Sequence, residues 1–132
     1  MTMMPKAGGN RRCIQSFHIG GRMAKTVIIG SKELGKGDDR LGGLLMASML
    51  RVMGEAEERP ETIIFMNAGV YLLCEGSQAL DHLRRLQELG VQLLACTTCL
   101  EYYDLADKLR VGKPTTMIKT VGQMIGSDTI FI

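Results

Sequence analysis

From Thr26 onward the apolar positions alternate between strand-like runs and helix-like spacings. Thr26-Val27-Ile28-Ile29-Gly30 is a β-branched run that predicts a buried strand. A glycine-containing loop follows and ends at Asp38 or Asp39, either of which suits a helix N-cap. Leu41, Leu44, Leu45, Ser48, Met49, Val52 and Met53 then recur at three- and four-residue intervals, predicting a helix that turns these residues inward. Met46, Met49 and Met53 also share a helical face and are expected in the core. Pro60 resets the chain, and Thr62 to Met66 predicts a second strand. Ser77 can cap a helix that carries Leu80, Leu83 and Leu86 inward and stops at Gly90. Val91 to Ala95 predicts a third strand, and the segment from Cys96 a helix to about Leu109. Past Pro114, Thr115 or Thr116 can cap a short helix ending near Gly126, ahead of a last strand at Thr129 to Ile132.

Strand and helix alternate throughout, and the strands are apolar almost without interruption. That combination predicts an α/β fold with a mostly parallel sheet covered on both faces, because parallel strands need helix-length crossovers. Loops leaving the carboxyl ends of such strands gather along one edge, where ligands bind. Three loops belong to that edge: Ser31 to Asp38, Asn67 to Gly76 and Cys96 to Thr98.

Composition narrows the class without changing the fold. A chain of 132 residues with 45% hydrophobic content suits one domain, and four cysteines are too few for a disulfide scaffold. The longest apolar runs fall short of the roughly 20 residues that span a membrane. Lys6, Arg11, Arg12, Arg22 and Lys25 put five cations and no acid in residues 1–25, leaving 11 basic against 14 acidic side chains in the rest. The folded part is therefore slightly acidic, which argues against nucleic acid as a partner. Residues 1–24 read as a flexible basic leader ahead of a domain over 25–132.

Chemistry concentrates in the edge loops. Gly30-Ser31-Lys32-Glu33-Leu34-Gly35-Lys36 has the spacing of a P-loop up to its lysine, but Gly37 stands where a hydroxyl must hold magnesium. Nucleotide hydrolysis is not expected on that ground, and the segment reads either as a flexible glycine turn or as a loop whose Lys32 and Lys36 favour an anion or thiolate. Cys96-Thr97-Thr98-Cys99 is a CxxC placed directly after an apolar strand. Thr98-Cys99-Leu100-Glu101 reads as a capping box, which would set both sulfurs near unpaired helix amides and lower their pKa from the ordinary ~8.5. Glu101 and Asp104 oppose that shift. Cys74 can act as a resolving thiol or fill apolar space beside Leu72 and Leu73, and Asn67 can bind substrate or satisfy loop amides. Zinc would have to draw on Cys74, Cys96, Cys99 and His82, and mid-helix His82 gives that set no support, so no metal is expected. Tyr102 and Tyr103 read as packing residues.

Several separate motifs in order, Lys32-Glu33-Leu34-Gly35-Lys36-Gly37-Asp38, Asn67-Ala68-Gly69-Val70, Glu75-Gly76-Ser77, Gly90-Val91 and Cys96-Thr97-Thr98-Cys99-Leu100-Glu101-Tyr102-Tyr103, resemble the DsrE-like family. The nearest resemblance is to the C-terminal domain of YedF-type proteins, described as sulfurtransferase-like and linked to selenium metabolism. The resemblance covers about residues 25–132. It implies a three-layer α/β/α sandwich with about five mostly parallel strands, assembly into homo-trimers or hexamers, and relay of sulfur as a cysteine persulfide. The active position that it implies is Cys96.

The chain departs from the YedF pattern at Thr97 and Asp104, where glycine is usual. It also lacks the Cys-Pro-x-Pro of the TusA-like domain that precedes full-length members, offering only Cys13-Ile14-Gln15-Ser16. A TusA-like carrier would then be a separate donor or acceptor. The expected function is a cytoplasmic sulfur or selenium relay on Cys96, with Cys99 able to resolve the persulfide. Lys32, Lys36, Asn67, Thr97 and Thr98 are the expected substrate contacts, and no metal or organic cofactor is called for. The alternative is a non-catalytic oligomeric module whose cysteine pair is structural or redox-sensitive.

Overall fold

The computed structural model describes residues 18–19 and 22–132. The expected leader over residues 1–24, with Cys13, lies outside them except for a short antiparallel backbone pairing of 18–19 with 22–23 and for buried Ala24. From there the chain runs β1 (Lys25–Ile29), α1 (Asp39–Glu55), β2 (Thr62–Phe65), a 3₁₀ helix (Asn67–Leu73), α2 (Leu80–Glu88) and β3 (Gln92–Cys96). It continues through α3 (Thr97–Tyr102), β4 (Lys113–Thr115), α4 (Met117–Gly126) and β5 (Asp128–Phe131).

The five strands form one sheet in the order β4-β3-β2-β1-β5, and every neighbouring pair is parallel. From β1 to β4 the chain steps across the sheet in one direction, so right-handed crossovers put α1 and α2 on the same face, where they pack together. The return from β4 to β5 runs the other way and puts α4 on the opposite face, where Gln123 Nε2 donates to Thr62 Oγ1 at 3.0 Å. The result is the expected three-layer sandwich.

Strand alternation separates the two faces. Val27, Ile29, Ile63, Phe65, Leu93 and Ala95 join Met46, Leu50, Leu83 and Leu86 in the core beneath α1 and α2. Each fully buried Val, Ile, Leu, Phe or Met side chain among them contributes roughly 1.5–3 kcal/mol. The α4 face is more polar: Thr26 and Thr62 are buried there, and the Thr26 and Ser127 hydroxyls lie 2.7 Å apart.

Four expectations are corrected. First, α1 does not turn Leu41, Leu44, Leu45, Ser48 and Val52 inward; all five are exposed, while Gly42, Met46, Leu50 and Gly54 are buried and Met49 and Met53 pack against the core. On this face Gly42 also lets the loop after β1 lie against α1, since a Cβ on it would come within 2.6 Å of Glu33 Cβ.

Second, the helix after Cys96 does not run to Leu109. It ends at Tyr102, because Asp104 adopts a left-handed φ of 58° that no helix continues. Third, Lys113–Thr115 forms an additional edge strand, β4, beside β3. Fourth, Ser77 does not cap α2, which starts at Leu80 after Ala79, and its Oγ accepts from the Ala79 amide at 3.1 Å instead. At other boundaries Asp38 caps α1 by accepting from the Leu41 amide, Thr116 caps α4 by accepting from the Lys119 amide, and Gly90 follows α2 with φ 98°.

Candidate functional site

All five strands are parallel, so the loops after β1, β2 and β3 share one edge of the sheet, and two of them meet at the cysteines. Cys96 is the last residue of β3 and the N-cap of α3. This corrects the expected capping box on Thr98, because α3 begins two residues earlier than that cap would have it, at Thr97, and no side chain caps it. Thr97 Oγ1 donates to the Thr115 carbonyl at 2.8 Å, tying the start of α3 to the end of β4. Thr98 is exposed.

Cys96 is 8% exposed, whereas Cys99 is half-buried. The two thiols are neighbours, and the presence of Cys96 helps to raise the pKa of Cys99. Across the edge, the Asn67 backbone N–H donates to Cys99 Sγ at 3.0 Å, so the second loop supplies a donor to the third. Asn67 holds a left-handed φ of 50°, and its Oδ1 accepts from the Tyr103 hydroxyl at 2.7 Å. Asparagine tolerates that conformation better than most residues, and Gly69 fixes the turn from below, since a Cβ there would collide with the Ile29 carbonyl oxygen.

Burial pushes the Cys99 thiol above its ordinary pKa, and the neighbouring Cys96 adds to the rise, while the Asn67 amide and the Cys99 amide work against it. The expected lowering is thus corrected for Cys99: desolvation of the thiolate outweighs the amides. No lysine is among the groups that set this balance.

Lys32 and Lys36 do not reach the sulfurs. Lys32 Nζ sits 4.9 Å over the Tyr71 ring, and Lys36 is exposed. With Glu33, Ser77 and Gln78, Lys32 lines an open cavity of about 450 Å³ between the first and second loops. Tyr71 packs against Tyr103 with ring centroids 5.0 Å apart, so an aromatic pair separates that cavity from Asn67. Cys74 turns away as well. It is buried, donates to the Val70 carbonyl at 3.2 Å, and its thiol is pushed up by burial with a smaller opposing pull from Arg110. His82 is half-buried on α2. Among the described residues, no group of three or more His, Cys, Asp and Glu side chains is placed to hold a metal ion.

The structure therefore brings together Cys96, Cys99 and Asn67 from the expected set and adds Tyr103. The adjacency of Tyr102 and Tyr103 to the CxxC was visible in the sequence; that Tyr103 reaches Asn67, 36 residues away, was not. Also invisible was the use of the Asn67 main-chain amide, because a backbone donor leaves no trace in residue identity.

Solved structures similar to this chain in fold include two that cover most of it. A protein of unknown function from Methanobacterium thermoautotrophicum, MTH1491, superposes with a TM-score of 0.60 at 22% identity, covering 83% of this chain and 99% of its own. The ychN protein from E. coli gives 0.59 at 18% identity, covering 83% of this chain and 100% of its own. The fold is DsrE-like. At these identities the likeness concerns the DsrE-like fold alone, and the finer YedF-type assignment does not follow from it. The sequence matches no protein-family model and no curated protein. Among the described residues, no helix is long and apolar enough to cross a membrane.

Proposed function

We propose that this DsrE-like domain is a sulfur relay of the YedF type, working in the cytoplasm, in which the Cys96–Cys99 pair accepts a sulfane sulfur, holds it as a persulfide on Cys96, and passes it on. The observation that carries this reading is the pairing of two free thiols at the carboxyl edge of a parallel sheet, one half-buried with an amide donor aimed at its sulfur. That arrangement suits nucleophilic exchange at sulfur, which requires a thiolate, a neighbouring thiol and access. The sulfur or selenium donor and acceptor are thiol or persulfide species, a TusA-like carrier protein among them. The sulfurtransferase chemistry uses protein thiols and needs no metal or organic cofactor.

Incubation with a persulfide donor followed by peptide mass spectrometry tests the relay. An adduct of one sulfur atom, about 32 Da, is expected on the peptide containing Cys96 and Cys99, and should vanish when both are changed to Ser. Loss of the relay reading follows if wild type takes up no sulfur on this peptide, or if the doubly substituted protein takes up as much.

A second reading, a non-catalytic oligomeric module with a redox-sensitive cysteine pair, draws on a different observation. Leu41, Leu44 and Val52 on α1 and Met117, Ile118, Val121 and Ile125 on α4 are exposed, as is Phe131 at the end of β5. Large apolar areas at the surface mark association sites. We assign them to contacts between copies of this chain in a homo-trimer or hexamer, an arrangement compatible with either reading.

A further inference from the structure

We propose that Cys99 is the thiol that exchanges sulfur with the partner, and that the Asn67 backbone N–H, positioned by Tyr103, holds the Cys99 sulfur as an anion during the exchange. The proposal rests on the relay reading and divides the labour of the two cysteines within it.

Accessibility assigns the order. Cys96 ends a strand and is 8% exposed, whereas Cys99 is half-buried and lies on the surface side of the pair. A donor bound at the sheet edge meets Cys99 first. The only inter-loop donor to either sulfur among the described residues is also directed at Cys99: the Asn67 N–H at 3.0 Å. A fixed amide aimed at sulfur stabilises the charged form over the neutral one and needs no reorganisation as charge develops.

That amide is held in place at some cost. Asn67 occupies left-handed φ, a conformation that persists when its surroundings over-determine it and that clusters at functional sites. Tyr103 supplies the constraint by donating to Asn67 Oδ1 at 2.7 Å, and Tyr103 is itself braced by Tyr71 and Tyr102 at centroid distances of 5.0 and 5.2 Å. Tyr103 touches no sulfur, so it is a positioning residue.

The chemistry balances without an external oxidant or reductant. The Cys99 thiol releases its proton to solvent, and the thiolate attacks the outer sulfur of a donor persulfide R–S–SH. The donor S–S bond breaks, R–S⁻ leaves with the electron pair, and Cys99–S–SH forms. Cys96 in turn gives its proton to solvent, and its thiolate attacks the same outer sulfur, giving Cys96–S–SH and releasing Cys99 as a thiolate with the electron pair of the broken S–S bond. Asn67 acts on the anion before the first step and at the end of the second.

The test uses the full chain, glutathione persulfide as probe, and peptide-resolved mass spectrometry that localises the added sulfur. In Cys99→Ser, sulfur should appear on Cys96 at least about tenfold more slowly than in wild type, and in Cys96→Ser it should remain on Cys99. Separately, the pH midpoint for Cys99 alkylation should rise by about half a unit or more in Tyr103→Phe, with the thermal midpoint kept, because the lost hydroxyl frees Asn67. Wild-type loading of Cys96 in Cys99→Ser overturns the order, and an unmoved alkylation midpoint overturns the role of Asn67 and Tyr103, in both cases leaving the relay intact. Absence of any sulfur uptake by wild type overturns the relay itself and the order with it.

Discussion

Gly69 lies so close to Ile29 that the Ile29 carbonyl oxygen occupies the space a β-carbon would need. This contact seats the 3₁₀ helix directly on the end of β1, and Asn67 is the first residue of that helix. The position of the Asn67 amide therefore depends on a hydrogen at Gly69.

Gly69→Ala should cost at least about 2 kcal/mol, since the obstacle is backbone and cannot rotate away. Urea denaturation measures it. An unchanged midpoint would contradict the close contact.

The raised pKa of Cys99 has two consequences in pH. Its thiolate fraction at neutral pH is below that of an ordinary cysteine, so alkylation of Cys99 should keep accelerating above the ordinary thiol pKa of ~8.5. Because the folded pKa exceeds the unfolded one, the folded state binds the proton more tightly. The associated stability is fully present below the unfolded pKa and is lost as pH rises through the folded pKa. Cys74, raised by burial as well, acts in the same direction. Thermal melts between neutral and alkaline pH should show a falling midpoint, and Cys74→Ala with Cys99→Ser should flatten that fall.

At Asp104 the backbone φ of 58° disfavours side chains, β-branched ones most. Asp104→Gly should be neutral or stabilising by up to about 1 kcal/mol, whereas Asp104→Val should cost more than about 1 kcal/mol. A destabilised glycine variant would mean that the Asp104 carboxylate matters more than its backbone.

The outward apolar residues give a prediction about assembly. Ile118 is 86% exposed, so Ile118→Lys should leave the stability of a single copy within about 0.5 kcal/mol. Sedimentation should nevertheless show the variant as a smaller species than wild type. Identical sedimentation of the two would remove α4 from the interface.

Much of this molecule can be derived from residue order alone. β-Branched runs at Thr26 and Thr62, the Asp38 and Thr116 caps and the stop at Gly90 are local signals, governed by interactions within a few residues, and the elements they predict are present. So is the placement of the CxxC at the carboxyl end of β3, since a parallel sheet sends its loops to one edge whatever the packing.

Decisions that depended on close approach belonged to the tertiary structure. α1 carries apolar residues on two faces, and periodicity cannot rank them; the face with Met46 and Leu50 went inward, and its Gly42 takes the loop at Glu33 at short range. α4 is apolar on the side away from the sheet and places Thr120 and Gln123 toward it, since the strand residues it covers include Thr26 and Thr62. The state of the cysteines was decided in the same way. Spacing put two sulfurs at the start of a helix, but their burial and the Asn67 amide arise from segments brought together across the chain, and desolvation is a property of that three-dimensional surrounding.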